Sequence, residues 1–464
     1  MNLFVEEFIA VHPSDNQITW QALEFTAFLH YGINTFTNQE WGDGTESPTC
    51  YNPSDLNTDQ WCEALVAAGV KACIITAKHH DGFCLFDTAF TEYSVMNSPK
   101  PRDVVSELAA SCVKYGLKLG VYLSPWDRHE PSYGSGTVYD DFFCAQLTEL
   151  TTKYGPLYSV WFDGACGEGP NGKKQVYDWE RYYSVIRKNQ PNAVISVCGP
   201  DVRWIGNEAG YTRPSEWSVV PTRMRNTETT ASLSQQSDDS AFREKPISAQ
   251  DEDLGSRKFL AEEMSAGGSL CWYPAEVDVS IRPGWFYHKD EDNQVRSLEN
   301  LLDIYEKSVG GNAVLLLNVP PDTSGRINTA DASRLKELGD RIRAIYSCSL
   351  LADADADCGN NIFVDDDTYW IGSNECEEIV LTLPEQRTIT HIVLCEQIKQ
   401  SQRIEMFFIQ AEVDGTWNTL CEGATVGFKK ICRFAPVTVK NLRIVVKQSR
   451  IAPTLRFVAA YRDV

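Results

Sequence analysis

The feature that most constrains this chain is an alternation. Short apolar runs give way to amphipathic stretches, over and over, through the first three-quarters of the sequence. The runs are Phe25–His30, Ala72–Ala77, Leu117–Leu123, Leu157–Phe162, Ala193–Val197, Glu216–Val220, Ser269–Tyr273 and Ala313–Asn318, with starts 47, 45, 40, 36, 23, 53 and 44 residues apart. Between several of them lie helical stripes. Trp61, Leu65 and Ala68 share a face before Gly69; Val105, Leu108, Cys112 and Tyr115 share one before Gly116; Val295, Leu298, Leu302, Tyr305 and Val309 share one before Gly310-Gly311. A stripe of helical period closed by glycine marks a helix. Strand, helix, strand repeated about eight times predicts a TIM-type (β/α)8-like barrel. The 23-residue interval is short for a parallel crossover, so the fifth helix is expected to be vestigial.

Beyond a short helical stretch ending near Tyr346 the helical period disappears. Runs such as Ile389–Leu394 and Leu442–Val446 are β-rich, and turn signals such as Asp414-Gly415 separate them. This predicts a catalytic barrel over residues 1–345 and a C-terminal β-sandwich over 346–464. A chain of 464 residues accommodates both, since a barrel takes about 250. The net charge of −22 repels phosphate backbones and anionic lipid, which disfavours nucleic-acid and membrane partners. Fifteen cysteines contain no C-x-x-C pair, so zinc ribbons and thioredoxin-like redox sites are not supported. Most sit in apolar runs, which favours a reducing compartment. The first residues lack the basic start and apolar core of a signal peptide. The expected location is the cytoplasm as written, or the periplasm or exterior if a leader has been removed.

In a barrel, the C-terminal ends of the strands face the active site. The first four ends read His30-Tyr31-Gly32, Lys78-His79-His80-Asp81, Tyr122-Leu123-Ser124-Pro125-Trp126-Asp127 and Trp161-Phe162-Asp163-Gly164, and the seventh reads Trp272-Tyr273-Pro274. Taken singly, each residue has a plain structural use: Asp-Gly is common in turns, and tryptophans fill cores. Their joint occurrence points to a sugar site, where aromatic faces stack on C–H groups and paired acids cleave. A metal-dependent hydrolase fits less well, because strand one offers only His30 and no His-x-His pair. A serine nucleophile lacks its G-x-S-x-G elbow. A carbohydrate-binding barrel without turnover needs one acid to be missing.

These residues carry a resemblance. Phe28-Leu29-His30-Tyr31-Gly32-Ile33-Asn34, Glu40-Trp41, Lys78-His79-His80-Asp81-Gly82-Phe83 and Trp161-Phe162-Asp163-Gly164 resemble the α-L-fucosidases, family 29 of the glycoside hydrolases. Gly206-Asn207-Glu208-Ala209-Gly210 and the stretch from Tyr273-Pro274-Ala275-Glu276-Val277-Asp278 to Arg282-Pro283-Gly284-Trp285-Phe286-Tyr287-His288 resemble the branch acting on α-1,3/1,4-linked fucose. The tail, opening with Asp365-Asp366-Asp367-Thr368-Tyr369-Trp370, resembles a discoidin-like, galactose-binding-like sandwich. The resemblance implies a retaining exo-α-L-fucosidase acting on fucosylated oligosaccharides or glycans. Asp163 is then the implied nucleophile. His30, Glu40, Trp41, His79, His80 and Tyr122 would hold the fucose ring, and Trp285 would lie near its C5-methyl side.

The acid/base is not kept at one sequence position in this family, so it is read from the residues. Glu208 lies between glycines suited to a loop over a ligand; Glu216 stands at the start of a predicted strand, towards the stability face. Glu208 is preferred, with Glu216 as fallback. The polar excursion Pro221–Arg257 is long enough to build a second sugar subsite, with Glu276 and Asp278 as candidate hydrogen-bond partners there. No metal or organic cofactor is expected for catalysis. Asp365–Asp367 is a candidate structural Ca2+ site, with a solvated turn as the preferred use.

Overall fold

A computed structural model of the chain describes residues 4–234 and 253–463. Its first ten strands are β1 (Phe25–Leu29), β2 (Ala72–Lys78), β3 (Lys118–Leu123), β4 (Leu157–Phe162), β5 (Val194–Val197), β6 (Arg203–Trp204), β7 (Val219–Pro221), β8 (Leu270–Trp272), β9 (Ala275–Ser280) and β10 (Ala313–Asn318). Eight form a parallel sheet in the order β5-β4-β3-β2-β1-β10-β9-β6, while β7 and β8 pair antiparallel with each other. The sheet curls into a nearly closed barrel, and β5 meets β6 through the single bridge Ser196–Val202. Every residue of β1, β2, β4, β5, β9 and β10 is buried. That is the state of a parallel strand with side chains inside and helices outside, and it explains the apolar runs.

Helices Thr58–Ala68, Val104–Tyr115, Thr137–Lys153, Trp179–Asn189 and Leu298–Ser308 wrap the barrel. Their starts are set by side chains that accept orphan N–H groups: Asn57 from Gln60, Asp103 from Ser106, Ser297 from Asn300. No helix lies between β5 and β6. In its place Asp201 accepts the Ile195 N–H (2.8 Å) and two bonds from Arg187 Nη2 (2.6 and 2.7 Å). No helix among the described residues is long and apolar enough to cross a membrane.

Two expected strands are corrected. Glu216–Val220 and Ser269–Tyr273 fall on β7 and β8, outside the barrel, and the barrel's own sixth and seventh strands are β6 and β9. An apolar run reports burial, not barrel membership. The run in β8 is buried beside the N-terminal segment, where Trp272 packs with Phe8. In β9, Val277 and Val279 join the core outside the sheet, while Glu276 and Asp278 turn inward.

The C-terminal part is all β. Asp355–Ala356, Glu377–Cys395, Ile404–Val413, Thr416–Gly423, Lys430–Ser449 and Phe457–Tyr461 build one antiparallel sheet, and Trp370–Ile371 pairs with Thr454–Leu455 in another. The two long strands carry register shifts near Thr382 and Ile389, which let them bend around a core of their own that includes Leu381, Ile392, Phe407 and Leu442. Polar contacts tie this sheet to the barrel. Lys429 pairs with Glu24 (2.5 Å), and Glu405 pairs with Arg257 (2.8 Å).

Candidate active site

Five strand ends and two loops converge at one mouth of the barrel. His30 follows β1, His79 and His80 follow β2, Tyr122 lies in β3, Asp163 follows β4 and Asn318 closes β10. Glu208 and Trp285 come from the loops after β6 and β9. The Tyr122 hydroxyl donates to Asp163 Oδ2 (3.1 Å), the Ala165 N–H donates to Oδ1 (2.7 Å), and the Asp163 side chain is still 21% exposed. It is a fixed carboxylate with an open face.

The hydrogen-bond network assigns the imidazole protons. Ser124 donates its hydroxyl to the Trp126 carbonyl (2.6 Å), so it accepts from His80 Nδ1 (2.7 Å). Asn318 donates from Nδ2 to the Trp285 carbonyl (2.8 Å) and to Ser280 Oγ (2.9 Å), so its Oδ1 accepts from His30 Nδ1 (2.9 Å). Burial pushes both imidazoles down to about 4, against the smaller upward pulls of Asn318 and Asp163 on His30 and of Asp163 on His80. Burial, helped by the neighbouring His80 and His30, also lowers His79 well below the usual imidazole range. Neutral rings protonated at Nδ1 present Nε2 lone pairs, and that of His80 lies 3.8 Å from Asp163 Oδ2. A lone pair beside a carboxylate is a seat for a hydroxyl donor.

Aromatic rings line the rest. The His30 ring lies 5.1 Å from Trp285, His79 stacks at 5.6 Å on Tyr122, and Tyr122 stacks at 5.4 Å on Trp161. Trp41, 39% exposed, stands edge-on to His80 (5.7 Å) and Trp126 (5.6 Å). Trp285 donates its indole N–H to Glu208 Oε2 (3.2 Å). Asp163 and Glu208 thus close the two ends of one chain of contacts through Tyr122, His30 and Trp285. Glu40 reaches the rim, where it accepts the Trp285 N–H (2.9 Å), the Phe286 N–H (3.0 Å) and His288 Nε2 (2.7 Å). It fastens the Trp285 loop.

Two placements differ from expectation. Glu216 is not a strand-entry charge. It is buried, accepting from Arg203 (2.8 Å) and Arg213 (2.9 Å). Burial opposes its charge, but the two guanidiniums hold the carboxyl below its usual range. Glu276 and Asp278 do not follow the seventh barrel strand but lie within it. They project from β9 into the barrel, where they accept the indole N–H of Trp161 and of Trp204, each at 2.7 Å. Burial raises Glu276 to about 7, and burial with the charges of Glu208 and Glu276 raises Asp278 well above the carboxylate range. Asp365, Asp366 and Asp367 turn to separate partners, Arg456, Thr368 and Lys399. Among the described residues no group of three or more His, Cys, Asp or Glu could hold a metal.

Residues 235–252, the centre of the Pro221–Arg257 excursion, lie outside the described residues. A cavity of about 490 Å3 opens at the opposite end of the barrel, but Asp15 is the one carboxylate in its lining, too few for paired-acid chemistry. Sequence reasoning placed Ser124 and Trp126 at the third strand end without individual roles, and passed over Asn318. The signal was present: each is a polar or aromatic residue at the end of an apolar strand run.

The α-L-fucosidase family profile matches residues 15–344. Alpha-L-fucosidase 1 of Arabidopsis thaliana is 38% identical over 97% of this chain and 87% of its own length. Among solved structures, a protein from Bacteroides ovatus superposes with a TM-score of 0.88 at 44% identity, covering 100% of this chain and 76% of the other. A Ruminococcus gnavus GH29 fucosidase in complex with fucose superposes at 0.82 with 30% identity, covering 98% and 95%. With the profile spanning most of the chain and relatives aligned along nearly all of it, the chain belongs to the α-L-fucosidases, family 29 of the glycoside hydrolases.

Proposed function

We propose that this fucose-releasing glycosidase is a retaining exo-enzyme, with Asp163 as nucleophile and Glu208 as acid/base, acting on α-1,3- or α-1,4-linked fucose in branched glycans. The observation that carries the mechanism is the Asp163 carboxylate, held by Tyr122 and the Ala165 N–H with one face open. Retention uses two carboxyl groups about 5–5.5 Å apart. In the first step an Asp163 oxygen bonds to the anomeric carbon while the glycosidic C–O bond breaks. The leaving oxygen takes its proton from Glu208. In the second step Glu208 takes a proton from water, the water oxygen bonds to the same carbon, and Asp163 leaves as carboxylate. Glu208 suits this role better than Glu216, whose two oxygens are occupied by arginines. The Nε2 atoms of His30 and His80 accept sugar hydroxyls, and Trp285 lies against the apolar side of the sugar.

Asp163→Asn should keep its fold and lose turnover by about a thousandfold or more. Near-parental kcat on an aryl fucoside would reduce Asp163 to a turn residue. Glu208→Ala should lose far more kcat/KM on sugar leaving groups than on activated aryl fucosides, which need no proton, and azide should trap its intermediate as a fucosyl azide. The linkage reading rests on the resemblance around Gly206–Gly210 and Tyr273–His288. A product screen on defined α-1,2, α-1,3, α-1,4 and α-1,6 fucosides tests it, and equal or faster cleavage of the α-1,2 isomer overturns it.

A further inference from the structure

We infer that the buried Arg203–Glu216–Arg213 triad is a positioning clamp for the Glu208 loop, fastened from outside by the C-terminal domain through Asn312. The inference rests on the acid/base reading of Glu208. The loop leaves β6 at Ile205 and returns at Arg213. The Arg213 guanidinium joins its two ends, donating to the Ile205 carbonyl (3.1 Å) and to Glu216 Oε1 (2.9 Å). The Arg213 N–H adds a bond to Oε1 (3.2 Å), and Arg203 takes Oε2 (2.8 Å). Within the loop, Asn207 Oδ1 accepts the N–H groups of Ala209 (3.0 Å) and Tyr211 (3.1 Å). Ala209 is bridged antiparallel to Val279 of β9. Side chains alternate along such a bridge, so Glu208 shares the face of Asp278 and Ser280, towards the barrel interior. Glu208 is thus held between three fixed neighbours.

The outer fastening is as specific. Asn312 Nδ2 donates to the Glu216 carbonyl (2.7 Å), its Oδ1 accepts the Phe428 N–H (2.7 Å), and its own N–H donates to the Lys429 carbonyl (3.0 Å). Gln402 accepts the Ser218 N–H (2.9 Å), and the Arg450 guanidinium lies 5.2 Å from the centre of the Trp217 ring. Arg203, Glu216 and Arg213 are all at or below 5% exposure. A buried ion triad is a poor way to gain stability, because desolvation offsets the attraction. Its geometric demand is strict, and geometry is what an acid/base needs.

The test compares kcat/KM of Glu216→Gln, Arg213→Lys and Asn312→Ala on a fucosylated trisaccharide and on 2,4-dinitrophenyl fucoside, with Glu208→Ala alongside. A mispositioned acid hurts only the substrate that needs protonation. The expected result is a loss of about tenfold or more on the trisaccharide, with the aryl fucoside within about threefold of parent. Arg213→Lys and Asn312→Ala keep the test standing if Glu216→Gln does not fold. Equal losses on both substrates, or none, while Glu208→Ala shows the split, overturn the clamp alone. If Glu208→Ala shows no split, the acid/base reading falls and takes the clamp with it.

Discussion

His30 and His80 each spend Nδ1 on a partner that has a single way to receive it, and each turns an unprotonated Nε2 to the site. Imidazoles near 4 stay neutral at neutral pH, so a basic limb of the activity profile belongs to other groups. Glu276 is the opposite case. Burial raises its carboxyl from 4.5 to about 7, so the folded chain holds that proton more tightly than the unfolded one. Its contribution is fully present below pH 4.5 and lost as pH rises through about 7. The penalty is on the order of 3 kcal/mol for a shift of this size. Glu276→Gln keeps an oxygen for the Trp161 N–H and removes the ionisation. Its Tm should exceed that of the parent at pH 8, with the gap closing by pH 5; a constant gap would assign it to packing. At this scale the strand ends that line the candidate site were legible, because four polar clusters interrupt apolar runs. Ser124 and Asn318 were legible as polar residues at strand ends but not in their roles, since a residue that orients another has no pattern of its own.

Elements were readable where both faces of a strand are apolar, as in β1, β2 and β4. β9 alternates Glu276, Asp278 and Ser280 with alanine and valines, so its inner face is polar, and the apolar run just before it carries the stronger strand signal. β6, two residues long, is below the length at which any period shows. The Glu208 loop was legible through its glycines, and the structure gives one of them a sharp role. Gly210 has φ +83°, and a Cβ there would meet Ile304 side-chain carbons at 3.1 Å. Gly210→Ala combines a left-handed backbone, costing about 1–2 kcal/mol, with a push on the helix Leu298–Ser308. It should lower Tm by several degrees and reduce kcat/KM most on poor leaving groups. An unchanged leaving-group profile would separate the loop from proton transfer.

At the scale of the whole molecule, the break in pattern near residue 346 was visible, but the grip between the two parts was not. The pairs Glu24–Lys429, Arg257–Glu405 and Asn312–Phe428 join residues far apart in sequence, and no local period encodes them. Cutting the chain after Tyr346 would leave Asn312, Arg257 and Glu24 without those partners, Asn312 in buried surroundings. The barrel alone should be insoluble or melt well below the full chain, and the full chain should show one calorimetric transition. Two transitions would mean that the parts fold independently.

The barrel closes between β5 and β6 on one bridge and on the Asp201 carboxylate. Asp163 stands on the β4 side of this closure and Glu208 on the β6 side. No continuous ladder measures the gap between them by the short route. The long way round, from β4 through β1 to β9 and β6, the strands carrying the two carboxylates are joined by laddered pairs at every step. A change of tilt or register along that arc would reach the barrel mouth as a change in the spacing of Asp163 and Glu208, like a hoop resized at the far side from its clasp.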